Sequence, residues 1–373
     1  MRKGWYAFLA LVFLIGCAAP LQQTLAPTET PVVVEAEIGA VTEPEQTPVP
    51  TPKPTEAPTD TPSPTDTPEP TASPLPYVAA DGVDTVAWIS DPQHYAAKYP
   101  EYYYDMTTFL RDHRDELHLR YVIHTGDLVN KTSDDAQWQV ASLAQSYIDD
   151  IPNGVLAGNH DCQSPDEFGP YCRYFGEKRY RDKSWYGGSY QDNRCHYDLM
   201  TIGGTDCVFV YLSFGPDSGC IKWANKVFAE YPDRVGFLLL HEYLEEKPET
   251  VYVRSQEGEK LFHRIVVPNP NVFFVFCGHR YGAYRQTTAL DDTDDGTPDR
   301  TVHEMMFNYQ AAGKVGGNGY LRLLQFDPAA RTIRFLTYSP SENDFNRFDD
   351  PANREKHYEI DESAEEFTIP YPW

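Results

Sequence analysis

Val155-Leu156-Ala157-Gly158-Asn159-His160-Asp161 is the stretch that decides the reading of this chain. A short apolar run stops abruptly at a glycine and then delivers an amide, an imidazole and a carboxylate in succession. Apolar runs of this length bounded by turn residues read as buried strands. The same grammar recurs: Thr85–Ile89 runs into Ser90-Asp91, and Tyr121–Ile123 leads to Gly126-Asp127. Phe237–Leu240 runs into His241, and Val272–Phe276 leads to Gly278-His279. Between the early runs lie helix-like stretches, about Pro100–Leu119 and Asp134–Asp150. Alternation of strand and helix predicts an α/β fold, and in such folds ligands sit beyond the carboxyl ends of the strands. Every polar group just quoted lies at such an end.

The later part of the chain is richer in β pattern. His196–Ile202 and Cys207–Leu212 are placed to pair around Gly203-Gly204. Val302–Tyr309, Tyr320–Phe326 and Thr332–Tyr338 predict antiparallel strands. The expectation is a two-sheet mixed β-sandwich flanked by helices, in four layers, as one domain over 77–373.

Upstream the composition changes. Arg2 and Lys3 precede an apolar run from Trp5 to Ile15, too short to span a bilayer comfortably. The order of charge, apolar run, Gly16 and Cys17 predicts a lipoprotein signal peptide over 1–16, with Cys17 lipidated. Residues 17–76 follow as a linker. Thr24–Pro76 holds 14 of the chain's 31 prolines, so it can build neither helix interior nor sheet ladder. It reads as a disordered, partly extended spacer. The predicted address is exported: cell-surface or periplasmic, tied to a bacterial membrane. The formal net charge of −25 argues against a nucleic-acid backbone as partner. Of seven cysteines, Cys162 and Cys172 form the expected disulfide because they share one loop; Cys207 and Cys277 read as buried free thiols.

Taken on their chemistry, Asp91, Gln93, Asp127, Asn159, His241 and His279 are oxygen and imidazole donors for one or two divalent cations such as Mn, Fe, Zn or Mg. A carboxylate such as Asp127 can bridge two metals, which together acidify a water and clamp a phosphate. His160 can then protonate the leaving oxygen, with Asp161 orienting its ring. Asp291, Asp295 and Asp299 form a separate acidic run that partly matches a calcium loop, with Thr293 and Val302 departing from the pattern.

The order of Asp91-Pro92-Gln93, Gly126-Asp127, Gly158-Asn159-His160-Asp161, His241 and Gly278-His279-Arg280-Tyr281 resembles the calcineurin-like metallophosphoesterases. That resemblance implies two metals. One takes Asp127, Asn159, His241 and His279, all present. The other takes Asp91, Asp127 and two histidines that this chain lacks; Gln93 and Tyr281 stand in their places. That position, the first along the chain because Asp91 opens it, is therefore oxygen-rich and weaker, with His94 an off-register substitute. The implied function is metal-dependent hydrolysis of a phosphate mono- or diester at the cell surface, by metal-activated water with His160 as leaving-group acid. Arg280 and Tyr281 are candidates for touching substrate. The alternative is a non-catalytic, one-metal surface binding module.

Overall fold

A computed structural model describes residues 75–246, 252–310, 315–345 and 362–373. The expected signal peptide, Cys17 and the Pro/Thr-rich tract up to residue 74 lie outside the described residues. In chain order the first elements are β1 (Asp84–Ile89), α1 (Gln93–Lys98), α2 (Pro100–Asp112), β2 (Leu119–His124), α3 (Asp135–Ser146) and β3 (Asn153–Val155). Next come α4 (Gly169–Phe175), α5 (Glu177–Tyr180), β4 (Tyr186–Tyr190), β5 (Cys195–Ile202), β6 (Thr205–Leu212), α6 (Ser218–Glu230) and β7 (Val235–Leu240). Then follow β8 (Leu244–Glu246), β9 (Tyr252–Arg254), α7 (Gln256–Leu261), β10 (Val272–Cys277), β11 (Gly282–Leu290) and β12 (Arg300–Asn308). The last strands are β13 (Leu321–Asp327), β14 (Thr332–Ser339), β15 (Asp344–Phe345) and β16 (Phe367–Pro370).

The strands form two large mixed sheets. One runs β15-β14-β13-β1-β2-β3, with β16 also on β14; the other runs β11-β12-β10-β7-β6-β5-β4. β1, β2 and β3 are parallel, as are β6, β7, β10 and β12. Period-two alternation of side chains explains the layering. Val86 and Trp88 of β1 face the gap between the sheets, where Phe237, Phe274, Phe276 and Phe307 meet them. Trp88 stacks on Phe276 with ring centroids 4.7 Å apart. Ala87 and Ile89 face the other way, onto Tyr103, Met106, Leu110 and Trp138 of α2 and α3. Behind the second sheet, Val208, Val210, Leu238 and Leu240 pack on Ile221, Ala224 and Phe228 of α6 and on Leu261 of α7. Strands covered on both faces must be apolar throughout, which is why the central runs show so little alternation. The expected four-layer α/β sandwich is the observed one.

Boundaries differ in places, for local reasons. Helix α2 stops at Asp112, because a turn follows in which His118 takes a positive φ of 46° before β2. Helix α3 begins where Asp134 accepts the N–H of Ala136 and ends at Ser146. Asp149 and Asp150 beyond it oppose the helix dipole, and Pro152 cannot continue it. β5 and β6 pair with Ile202 opposite Thr205. Gly203 and Gly204 supply the positive φ (54° and 73°) that a two-residue hairpin turn requires. Leu156 and Ala157 are buried but continue past the end of β3. Strands β4, β8, β9, β11, β15 and β16 were not anticipated from the sequence.

Candidate metal centre

Loops leave the carboxyl ends of β1, β2 and β3 on one sheet and of β7 and β10 on the other, and they interleave. Asp91, Asp127 and His279 all take left-handed backbone, with φ of 53°, 54° and 69°. For a residue with a Cβ this costs about 1–2 kcal/mol, and such conformations concentrate at functional sites. The turns aim the three side chains back over the strand ends. Two glycines make the approach possible. A Cβ on Gly158 would lie against Asp127 Oδ1 and 2.7 Å from His241 Cε1; one on Gly278 would strike Asp91 Oδ2 and Ser90 Oγ. Hydrogen bonds between the loops, two of them from one sheet to the other, lock the arrangement. His241 Nδ1 donates to the Thr125 carbonyl at 2.8 Å, the His279 N–H donates to Asp91 Oδ1 at 3.1 Å, and the Gly278 N–H donates to the His241 carbonyl at 3.1 Å.

The polar atoms then converge. Asp91, Asp127 and His241 bring ligand atoms within 4.8 Å of one another, all buried. His241 Nε2 is 3.3 Å from Asp127 Oδ1 and 3.0 Å from Asn159 Oδ1, while His279 Nδ1 is 2.8 Å from the same Asn159 oxygen. Because His241 holds its proton on Nδ1 through Thr125, its Nε2 faces these oxygens with a lone pair when the ring is neutral. Acceptors crowded together in a buried place call for a proton or a cation among them. The electrostatics say the same. Burial opposes charge on His241, yet Asp127 and Asp91 outweigh it and hold the ring up at about 10. Burial, against His241 and with Asp127, lifts Asp91 to about 8. Burial acts upward on Asp127 too, but His241 overrides it and its carboxyl sits below the usual range. His279 is pushed down to about 3 by burial, His241 and Arg280, which leaves it a neutral donor. The carboxylates, the amide oxygen, the neutral His279 and, once its Nε2 proton is given up, His241 make a donor set that fits a divalent cation.

The first position is built differently. Gln93, at the start of α1, is fully buried; its Nε2 donates to Asp127 Oδ2 at 3.1 Å and to Gln310 Oε1. Its own Oε1 is buried without a hydrogen-bond partner. Gln93 therefore lies where the sequence put it, but an N–H faces Asp127. Tyr281 is 41% exposed and lies at the mouth of the cleft, not in the donor cluster. His94 is not among the clustered donors; it packs beside Gly316.

Beside the donors opens a cleft of ≈ 250 Å³ lined by Asp127, Asn159, His160, Glu246, His279, Arg280, Tyr281 and Gln310. His160 Nδ1 meets the Asn130 carbonyl at 2.9 Å, and the His160 N–H donates to Asp127 Oδ1 at 2.9 Å. The Nδ1 proton is thus fixed by a backbone carbonyl, and Nε2 is left for the cleft. The orienting role expected of Asp161 is not the one the structure shows. Its carboxylate is fully buried and accepts the N–H groups of Leu128 (3.0 Å), Val129 (3.0 Å) and Gly158 (2.8 Å). It ties the loop after β2 to the loop after β3.

His124 is structural. Its Nδ1 accepts the Gly126 N–H at 3.1 Å and its Nε2 meets Tyr103 Oη at 3.0 Å. Sequence reasoning missed Gln310, Glu246 and a chain in which Trp88 Nε1 donates to Thr125 Oγ1 (3.0 Å), Thr125 Oγ1 to Ser90 Oγ (2.7 Å), and Ser90 Oγ to Asp91. Ser90 adjoins a candidate and was within reach of that reasoning; Gln310 sits in no motif.

The arginines after β3 do not reach the cleft. Arg173, Arg179 and Arg194 pair with Asp135, Asp149 and Asp217. In the acidic run the carboxylates turn to the backbone and to Arg300. Asp291 accepts the N–H groups of Asp295 and Gly296, Asp299 accepts those of Asp292 and Thr293, and Asp292 pairs with Arg300 at 2.7 Å. Asp291, Asp295 and Asp299 form no ligand cluster among the described residues. Cys162 and Cys172 are free thiols, with Cys162 Sγ on the Asn159 carbonyl.

Comparison with known proteins bears on the whole arrangement. The chain is 45% identical over 268 residues to the uncharacterized protein YvnB of Bacillus subtilis (strain 168), a match covering 71% of this chain and 20% of that one. It thus spans about a fifth of that relative's length. Among solved structures, it is similar to a purple acid phosphatase from yellow lupin seeds at 12% identity, covering 80% of this chain and 55% of that one with a TM-score of 0.47. It is also similar to the sulfate thiohydrolase SoxB of Thermus thermophilus at 12% identity, 73% and 59% coverage and a TM-score of 0.40. Residues 85–281, more than half of the chain, match the model of the calcineurin-like phosphoesterases. All five strand-end motifs fall inside that span, and the chain belongs to the calcineurin-like phosphoesterase family.

Proposed function

We propose that this chain hydrolyses a phosphate mono- or diester at a cell surface, where a lipid on Cys17 holds it. The single observation that carries the chemistry is the convergence of Asp91, Asp127 and His241 within 4.8 Å, with Asn159 between His241 and His279, at the wall of a cleft that also holds His160. Family membership supports the reaction class. Asp127, Asn159, His241 and His279 hold a divalent cation, with Asp91 beside them. Such a cation supplies a more acidic water and offsets phosphate charge. The chain's own residues do the rest. His160 keeps one proton on Nδ1 through Asn130 and passes another from Nε2 to the leaving oxygen. Arg280, exposed at the mouth of the cleft, pairs with phosphate oxygens, and Tyr281 and Glu246 border the leaving group. The address rests on the N-terminal sequence: basic start, short apolar run, Gly16-Cys17 and a proline-rich spacer.

The test is turnover of chromogenic mono- and diesters by the full chain with Mn, Mg, Ca, Zn or no added metal. Metal-dependent turnover is expected in the parent and none in Asp127→Ala. His160→Ala is expected to lose about 10²–10⁴-fold while keeping its metal. Equal turnover in the parent and Asp127→Ala would overturn the reading. The address fails if Cys17→Ser still partitions with membranes.

One observation favours a second reading, a non-catalytic module with a single cation. Gln93 Nε2 occupies the Asp127 oxygen on the side of the first position. Bound metal in a folded chain that is silent on every ester would select it.

A further inference from the structure

Of the two acids among the described residues that line the cleft, Asp127 belongs to the donor cluster and Glu246 does not. Glu246 is the last residue of β8, which leaves the donor His241 after a short step. Its strand is firmly held. β8 pairs with β9, Leu244 opposite Arg254 and Glu246 opposite Tyr252. Arg254 donates from Nε and Nη2 to Glu304 at 2.5 and 2.7 Å and from Nη2 to Thr288 Oγ1 at 2.5 Å, and its guanidinium lies 3.5 Å from the centre of the Phe262 ring. Glu304 is fully buried, so the paired strands are tied to the second sheet.

A carboxylate is an unfavourable lining for a cleft that takes phosphate, because both are negative and repel. The cleft gives them little room to avoid each other. Its volume is ≈ 250 Å³, below the about 300–1,000 Å³ of ordinary small-molecule sites. Nothing in the wall cancels the charge. Among the described residues, no hydrogen bond or ion pair joins the Glu246 carboxylate to another side chain, and Arg280 on the same cleft has no acidic partner. Two opposite charges thus stand apart on one small cleft, as an occupant with two opposite charges of its own requires. Tyr281 adds an aromatic ring at the mouth, 41% exposed.

We infer that the cleft selects a zwitterionic ester, a phosphate with an ammonium group on its alcohol arm, and that Glu246 is the residue that determines this specificity. The assignment rests on the hydrolase reading of the same cleft. The phosphate goes to the metal centre and Arg280; the ammonium goes to Glu246, with the Tyr281 ring beside it. An uncharged arm leaves Glu246 facing the phosphate alone, and an acidic arm adds a second repulsion. No bond to the ammonium changes in the reaction, so the contact acts alike on ground and transition states. The preference therefore falls on KM more than on kcat.

Matched probes test this on the full chain with Mn, Mg, Ca or Zn present. Phosphocholine and its nitrophenyl diester are each compared with a carbon isostere in which a tert-butyl group replaces trimethylammonium. A second pair, phosphonates with a CH₂ in place of the ester oxygen, reports binding by calorimetry without turnover. The parent is expected to favour the cationic member about tenfold in kcat/KM and in phosphonate affinity. Glu246→Gln should erase both preferences and raise turnover of the uncharged ester, and Glu246→Lys should invert them. Tyr281→Phe should keep them. Vesicles of phosphatidylcholine, assayed for released phosphocholine or choline, tell a lipid headgroup from a free ester; release that falls in Glu246→Gln supports the assignment. Equal handling of the two esters by the parent, or a preference that survives in Glu246→Gln, overturns it and leaves the hydrolase reading intact. A phosphonate preference lost in Glu246→Gln, with no ester turned over, keeps the assignment and removes the hydrolase reading. Absence of both preference and turnover removes both.

Discussion

Replacing Asp161 separates two readings of the same residue. If its carboxylate oriented His160, Asp161→Ala would lower turnover in a chain of unchanged stability. The geometry dictates the opposite order of effects. Oδ2 accepts the N–H groups of Leu128 and Gly158, and Oδ1 that of Val129. All of this is buried, and a buried donor left without a partner costs about 1–3 kcal/mol. Three of them, with some relief from repacking and entering water, set the loss in Asp161→Ala at about 3–5 kcal/mol. Asp161→Asn is the graded control. Its carbonyl oxygen can keep the Oδ2 position and two of the bonds, while its NH₂ opposes the Val129 N–H, so the loss falls to about 1–3 kcal/mol. Urea unfolding of the full chain, followed by fluorescence and read at constant slope, measures both. Turnover per folded molecule is measured beside it. A parent-like unfolding midpoint in Asp161→Ala, together with lost turnover, would refute the loop-tie reasoning and restore a direct role on His160.

Three further outcomes follow from the same contacts. Gly158→Ala places a Cβ against Asp127 Oδ1 and 2.7 Å from His241 Cε1; overpacking of about 1–3 kcal/mol should weaken cation affinity by about 10–100-fold in a titration read by calorimetry, and parent-like affinity would show that the loops can move apart. Burial holds the His196 imidazole down at about 3, with its ring stacked 4.3 Å from that of Tyr211. The unfolded chain binds a proton there below about 6.5 and the folded chain does not, so stability is full above that pH and is lost as pH falls towards 3. Between pH 8 and pH 5 the parent should lose about 2 kcal/mol more than His196→Phe, and equal losses would place the acid sensitivity elsewhere. Gln93→His replaces the N–H that faces Asp127 Oδ2 with an imidazole able to ligate; elemental analysis should find more bound metal per folded chain than in the parent, and unchanged stoichiometry would put the limit at Tyr281 instead.

What the sequence disclosed, and what it did not, divides along a physical line. Central strands were legible because they are buried on both faces and end in abrupt polar groups: Trp88-Ile89 before Ser90-Asp91, Leu239-Leu240 before His241. The hairpin at Gly203-Gly204 was legible because two consecutive positive-φ positions favour glycine there. β11 was not, since Tyr284, Arg285 and Gln286 are all only half-buried on a sheet edge and it shows no apolar run. β16 was not, because Phe367–Pro370 is held by β14, far away in the chain. In the site, donors carried by motifs were named from sequence and the structure gathers most of them. Gln310 was not named, because it reaches Gln93 only through the fold, across 217 positions. Asp161 was named for the wrong partner. Adjacency to His160 suggested a side-chain contact, but the turn sends its carboxylate back to the amides of Leu128, Val129 and Gly158.

The glycines and acids of these motifs have one cause rather than two. Loops from two separate sheets must pass through one another to bring Asp91, Asp127, Asn159, His241 and His279 together. Where they cross, Gly158 and Gly278 leave no room for a Cβ. The loops must also reverse sharply, and Asp91, Asp127 and His279 take left-handed backbone to do so. At about 1–2 kcal/mol apiece, three such residues cost a sizeable fraction of the 5–15 kcal/mol that separates folded from unfolded chains. The opposing bonds are visible: Asp91 N–H to the Gly126 carbonyl at 3.2 Å, His279 N–H to Asp91 Oδ1, His160 N–H to Asp127 Oδ1. Each uses a carboxylate or carbonyl of one loop to hold the backbone of another. The side chains that gather the cation are thus also the struts of the loops that carry them. A substitution at Asp91 or Asp127 should therefore disturb the neighbouring loop as well as the donor set, whereas one at His241, whose ring is held by Thr125 from outside the cluster, should remove a donor and leave the turns standing.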